Sequence, residues 1–439
     1  MRQSGRICEH SFASVFAWQH FYGNEWAECH GRLIVRSRTS APDSPSKYMI
    51  LPDICTSQLP HILEMIAKDA GDTPYAIAQL SAEESEWMGQ MFPDRFLWDA
   101  PRSATDYIYD VESFRTFKGK RLAAKRNHVN RFRQTYPFRY ETLAPEHFGQ
   151  CMLLERQWRS VQPDLTGQLL AEEEVIRVTF QHYRELGCVG GALFVYDKLV
   201  AFTYGSPLNG DTIDVHIEKA DTRYEGVFPM IGQLFAQHLP GQYRFINREE
   251  DLGLPGLRQS KLSYNPCRME QKWCARPMDS DLRGVVRIWQ ECFHDDRAFV
   301  DAFLSRYYRR RHLFARRENG SPVSVCLLVP CDSAIGKVGY LYGISTLEEY
   351  RRQGLADQVV REAVGYCRQQ GMAAVALIPE SDELSRYYTR FGFSPDRIPV
   401  TFSNEIDLGT GNPERDRAML LRIGANGAIV DALTLTAEE

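Results

Sequence analysis

The chain has 439 residues, of which 44% are hydrophobic and 25% charged, and a formal net charge of -5. That length suggests about three domains, and the composition is that of an ordinary soluble protein with apolar material for several cores. The acidic balance excludes a chain built as a whole to bind nucleic acid or anionic membrane, so any such surface has to be local.

No apolar run approaches the ~20 residues of a membrane helix, and the opening MRQSGRICEHSF lacks the apolar stretch of a signal peptide. Eleven cysteines without CxxC pairs read as reduced, buried thiols, and the expected location is the cytoplasm. Cys326 and Cys331 have no matching His/Cys pair nearby, so no metal site is expected.

Turn-rich segments at TYPFRYETLAPEHF and SYNPCRMEQKWCARPMDS divide the chain into expected lobes of 1–135, 136–270 and 271–439. At the end of the first, Arg115 to Arg133 carries eight Lys or Arg, Lys125 and Arg126 among them, and no acid. Such a stretch is either a basic helix that meets phosphate or a solvated helix face.

In the second lobe, GALFVYDKLVAFTYG predicts a hairpin about Asp197 and Lys198, DTIDVHIEK a strand, MIGQLFAQHL a helix and YRFIN a strand. His216, Glu218 and Lys219 fall on one strand; Asn247, Arg248, Glu249, Glu250 and Asp251 follow at the end of the next. Period two puts His216 and Glu218 on one face, and adjacent strand ends in an α/β sheet are where ligands sit. The alternative for these charges is a structural ion-pair network.

The third lobe repeats that order: SPVSVCLLV, KVGYLYGIS, LADQVVREAVGYCRQQ and MAAVALI predict strand, strand, helix and strand. Arg351, Arg352, Gln353 and Gly354 crowd the helix start before Leu355 and Ala356. A helix end leaves its first N–H groups unpaired and carries partial positive charge, so it binds phosphate. Neither GxGxxG nor GxxxxGK[ST] occurs in the chain.

The spacing R-x-x-G-x-A, from Arg351 to Ala356, resembles the pyrophosphate loop of the GNAT family of acyl-CoA N-acyltransferases. Upstream, GYLYGISTLEEYRRQG is similar to that family's splayed central strand, where Ile344, Ser345 and Thr346 would offer backbone to a pantetheine arm. Downstream, AAVALIPESDELSRYYTRFGF resembles its next strand, helix and Y-x-x-x-G-F ending, with Tyr388, Gly392 and Phe393 in register. The resemblance covers residues 280–439. It implies acetyl-CoA as cofactor, a small-molecule or peptide amine as acceptor, Tyr388 as proton donor to the departing thiolate, and a carbonyl polarised by backbone near Ile344. Candidate bases are Glu291, His294, Asp295, Asp296 and Glu348, with water as an alternative. For Tyr388 the alternative is a core aromatic beside Leu384 and Phe391, with Tyr387 as its substitute.

In the first 270 residues, SFASVFAWQHFYGNEW, DYIYDVESFRTFKGKRLAAKRNHVNRF, VHIEKADTRYEG and INREEDLGLPGLRQSKLSYNP resemble the family related to the C-terminal domain of phosphatidylglycerol lysyltransferase. That family has two tandem GNAT-like lobes and is structurally related to aminoacyl-tRNA-dependent Fem transferases. The two resemblances together imply an α/β (α+β, GNAT-like) protein of three tandem lobes, with mixed central sheets flanked by helices. In the second lobe RYEGVF keeps Arg223 and Gly226 but adds Glu225 and bulky Phe228, so CoA is not expected there. The leading expectation is N-acetylation of an amine by the third lobe. The alternatives for the front half are aminoacyl transfer, with tRNA or an anionic lipid head group as partner, or a non-catalytic binding role.

Overall fold

The computed structural model describes residues 6–38, 45–160, 168–423 and 431–438. The chain divides into two compact units near residue 274, with 92–99 belonging to the second. No helix among the described residues is long and apolar enough to cross a membrane.

The first unit holds two sheets. In one, Glu25–Cys29, Arg32–Ser37 and Ser46–Leu51 run antiparallel in turn, and Tyr75–Leu80 joins in parallel. The helix Leu59–Ala70 accompanies it, with Leu59, Ile62, Leu63 and Ile66 buried at helical spacing. The other sheet has seven strands in the order Arg268–Glu270, Asp106–Asp110, Phe245–Asn247, Thr212–Ala220, Lys198–Pro207, Val189–Val195, Phe138–Thr142. Helices Val111–Thr116, Ala123–Thr135 and Val227–His238 enclose one of its cores, and Pro145–Ser160 and Gln168–Gln181 another.

Strand Asp106–Asp110, expected in the lobe of 1–135, lies inside the second sheet, beside strands of the expected lobe 136–270. Asp106, Tyr107, Ile108 and Tyr109 are all buried. A strand covered on both faces shows no alternation to mark its sheet, and its partners come from residues more than a hundred positions away.

The second unit has one seven-stranded sheet: Leu313–Glu318, Ser321–Asp332, Val338–Thr346, Ala374–Leu377, Arg417–Arg422, Arg397–Phe402, Leu433–Ala437. The last strand also pairs with Ser321–Asp332 at Cys331 and Asp332, closing the sheet on itself. Helix Ser280–Phe293 lies against Ser321–Asp332 and Val338–Thr346 with Trp289 buried; Leu355–Gln369 packs with Val359, Val360, Ala363 and Val364 buried. Asp99 grips Arg306 through two bonds of 2.8 Å, fastening strand Phe96–Asp99 to helix Arg297–Tyr307.

Each central strand is bulged. Against Lys198–Pro207, the pairing steps from Val215 to Ile217 and leaves His216 as the extra residue; against Ser321–Asp332, it steps from Tyr342 to Ser345, leaving Gly343 and Ile344 opposite Cys326. The first bulge corrects the expectation that His216 and Glu218 share a face. The added residue reverses the alternation, so Ile213 and Val215 join the core containing Val227–His238, whereas Ile217 joins the core of Pro145–Ser160. His216 and Glu218 therefore point to opposite sides.

Candidate functional site

In the second unit, Ala374–Leu377 accompanies Val338–Thr346 only through Val338, Gly339 and Tyr340. Beyond Tyr340 the backbone from 341 to 346 has no partner strand on that edge among the described residues. Ile344 is half-buried there; Ser345 is buried, its hydroxyl donating to the Gly343 carbonyl at 3.1 Å. The Thr346 hydroxyl meets that of Ser324 at 2.8 Å, and its carbonyl accepts from Arg351 Nε at 3.1 Å. Arg351, Arg352, Gln353 and Gly354 are exposed, and Leu355 and Ala356 begin the helix half-buried. Gly354 is its N-cap at φ +75°, and a Cβ built on it would meet nothing within 4 Å. Open strand edge, arginines and helix N-terminus thus follow one another along the chain.

Tyr388 is buried in the cluster of Cys326, Val360, Phe391 and Phe393, against which Ile344 packs. Burial pushes its phenol pKa up, and Cys326 and Tyr387 add to the rise. The neighbouring Tyr387 donates to Asp357 at 2.7 Å. The candidate bases are dispersed. Glu348 is exposed in the turn Glu348–Tyr350, and Glu291 is exposed and paired with Arg287 at 2.7 Å. His294 ends its helix at φ +58°, and Asp296 caps the next at Ala298 N, 2.7 Å. Asp295 accepts from Trp289 Nε1 at 2.8 Å and, after burial, is the next cause of the raised Tyr342 pKa. Tyr342 stacks on Phe303 at 4.5 Å and lies 5.5 Å from the Trp289 ring. Trp289 is buried in the core of the second unit, and Tyr342 packs against that core half-buried.

The corresponding turn of the second lobe is closed. Asp221 accepts from Arg223 at 2.8 and 2.6 Å and from Lys198 at 2.9 Å; the Arg223 guanidinium is the main cause holding its carboxyl well below the usual carboxylate range. Glu225 pairs with Arg131 at 2.9 Å. A Cβ on Gly226 would come 2.5 Å from the carbonyl oxygen of His128. Lys261 donates to the carbonyls of Arg248 at 2.5 Å, Glu249 at 3.2 Å and Glu250. Arg248 donates to Glu218 at 2.8 Å and lies 4.9 Å from the Tyr264 ring, which Lys125 covers at 3.9 Å.

The basic stretch is mostly engaged within the fold. Arg126 donates to the carbonyl of Phe117 at 2.6 Å, Arg115 to those of Ala236 and Leu239, Arg121 to Asn265, and Arg133 to Gln233. Lys118 and Lys120 are exposed.

Of the strand-end residues, Lys219 is buried among Glu155 at 3.3 Å, Glu172 and the Trp158 ring at 3.5 Å. Asn247 donates to the Arg6 carbonyl at 2.6 Å and to Asp106 at 2.9 Å, and accepts from Glu249 N. His216 lies with its Nε2 2.8 Å from Ser206 Oγ and its Nδ1 3.1 Å from Glu249 Oε1 and 3.5 Å from Asp214 Oδ2. Beside them the buried Lys272 ammonium meets Asp106 at 2.7 Å, Glu9 at 2.8 Å and Glu250 at 2.9 Å. Burial pushes the Asp106 carboxyl up to about 7 against the pull of Lys272. Glu9 and Glu250 also line a cleft of about 540 Å³ with Trp18, Tyr22 and Leu252. Asp106, Asp214 and Lys272 are scattered in the sequence and carry no local signal of this meeting.

Residues 3–276 match the family described as phosphatidylglycerol lysyltransferase, C-terminal, and residues 275–395 that described as acetyltransferase (GNAT) domain. A conserved protein of unknown function from Bacteroides thetaiotaomicron, known from a crystal structure, is 34% identical with a TM-score of 0.58, over 63% of this chain and 94% of its own. An uncharacterized protein of Mycoplasmoides gallisepticum is 22% identical over 242 residues, 54% of this chain and 73% of that protein. A GNAT family N-acetyltransferase from Escherichia coli, solved in complex with CoA, is 17% identical over 36% of this chain and 85% of its own, with a TM-score of 0.27. The first match spans more than half of the sequence: the chain belongs to the phosphatidylglycerol lysyltransferase C-terminal family and carries a GNAT acetyltransferase domain after it.

Proposed function

We propose that residues 275–439 transfer an acyl group, acetyl in the first instance, from CoA to an amine. The observation that carries this reading is the free strand edge from 341 to 346, running directly into a loop whose Gly354 leaves the helix start open. An extended pantetheine arm pairs with such an edge as an added strand, and a pyrophosphate suits unpaired helix N–H groups. Bound acyl-CoA would supply a thioester: the neutral amine attacks its carbonyl carbon and gives up a proton to water or a candidate carboxylate, the C–N bond forms, and the C–S bond breaks to release the thiolate. At neutral pH the Tyr388 phenol is protonated and has a proton to return to the thiolate, although burial makes it a weaker acid than a free phenol. Asp295, held by the buried Trp289 Nε1 beside half-buried Tyr342, offers a carboxylate to an amine acceptor. Calorimetric titration with acetyl-CoA and longer acyl-CoAs, followed by thiol release across a panel of amines, tests the assignment; absence of acyl-CoA binding overturns it.

A second reading gives the front half aminoacyl transfer, as the family's name suggests. The cleft lined by Glu9, Glu250, Trp18 and Tyr22 favours it, because acids beside aromatic rings suit an amino group. Titration of charged tRNA at two salt concentrations, with Lys118→Glu and Lys120→Glu together as the variant, tests this reading; binding that ignores salt and charge rejects it.

A further inference from the structure

We infer that Asp214, His216 and Glu249 form a binding site for a divalent first-row metal ion. His216 Nδ1 lies 3.1 Å from Glu249 Oε1 and 3.5 Å from Asp214 Oδ2. Ligands held about 2.1 Å from a shared ion stand roughly 3.0 to 3.4 Å apart; the first separation falls in that range, the second just beyond it, and one ligand atom from each of the three residues lies within 4.8 Å of the others. The independent observation is Asp214. It is completely buried, and neither of its carboxylate oxygens has a hydrogen-bond partner among the described residues. A buried carboxylate without partners is costly; a cation between it and Glu249 removes that cost.

The other side of the imidazole fits the same assignment. Nε2 is 2.8 Å from Ser206 Oγ, which is 3.0 Å from Ser11 Oγ. With the proton on Nε2 donated to Ser206, the Nδ1 lone pair is free for the ion, and such a partner on the second nitrogen usually accompanies a ligating histidine. One imidazole with two carboxylates suits Zn²⁺, Mn²⁺ or Fe²⁺ better than a thiol-seeking ion. Period two puts His216 on the side of Asp214, and the bulge at His216 sends Glu218 to the other face. The inference does not depend on the acyl-transfer reading of the second unit.

The test uses the full chain, stripped with EDTA and titrated with Mn²⁺ by electron paramagnetic resonance and with Zn²⁺ by calorimetry. Mn²⁺ discriminates against the exposed thiols of Cys55 and Cys267. One equivalent is expected to bind. Asp214→Asn, which replaces a buried charge with an isosteric amide, is expected to abolish stoichiometric binding with the melting temperature retained or raised. Ser206→Ala lowers affinity ~10- to 100-fold. Glu249→Gln provides the same ligand test from a less buried position and covers any failure of the Asp214 variant to fold. Absence of stoichiometric binding in the wild type, or unchanged affinity in a folded Asp214 or Glu249 variant, overturns the site.

Discussion

Gly226 and Gly354 each begin a helix after a bulged central strand, and they differ in what faces them. A Cβ on Gly226 would meet the His128 carbonyl oxygen at 2.5 Å, whereas one on Gly354 would meet nothing within 4 Å. The same backbone turn is thus packed against a helix in the second lobe and left open in the third. That contrast suits a structural turn in the second lobe and the ligand loop proposed above in the third.

Gly354→Val is expected to abolish acetyl-CoA binding in calorimetry. A branched side chain covers the helix N–H groups, and φ +75° costs an L residue roughly 1 to 2 kcal/mol. Thermal melting should show that modest loss with the fold intact. Unchanged affinity would detach the loop from cofactor binding.

Tyr388→Phe is expected to lower kcat about 10- to 1,000-fold and leave acetyl-CoA affinity nearly unchanged. The ring continues to fill the cluster with Phe391 and Phe393, so packing is preserved. Steady-state kinetics beside a binding titration separates the two effects; full activity would return Tyr388 to the core.

Lys261→Met is expected to destabilise the first unit by about 3 kcal/mol, because three carbonyls lose their donor in a buried setting. Chemical denaturation measures the loss. Acetyl-CoA affinity of the second unit should be unchanged.

Asp221 sets a pH dependence. Its folded pKa is depressed below the unfolded value of about 3.9, first by Arg223, so its stabilising contribution is present above that pH and is lost as pH falls through the folded value. Asp221→Asn is expected to melt at a lower temperature than wild type at neutral pH. The gap should close as both are acidified below about pH 3.9. A gap that stays constant down to strong acid would mean that the carboxylate charge plays no part.

Local pattern carried much of this protein. The strand, loop and helix from Val338 to Gln369 were legible because alternation, a glycine and a helical stripe act over neighbouring residues, and the loop from Arg351 to Ala356 stood out for the same reason. The family resemblances also rested on continuous strings. Tertiary structure decided what depends on partners far along the chain. It put Asp106–Asp110 into the second sheet, and through one bulged residue sent His216 and Glu218 to opposite faces. It engaged most of the basic stretch with carbonyls and rings, and gathered Glu9, Asp106 and Glu250 around the buried Lys272 ammonium. Charge and periodicity can be counted along a chain, but whether a cation meets a phosphate or a backbone carbonyl depends on which distant strand arrives beside it.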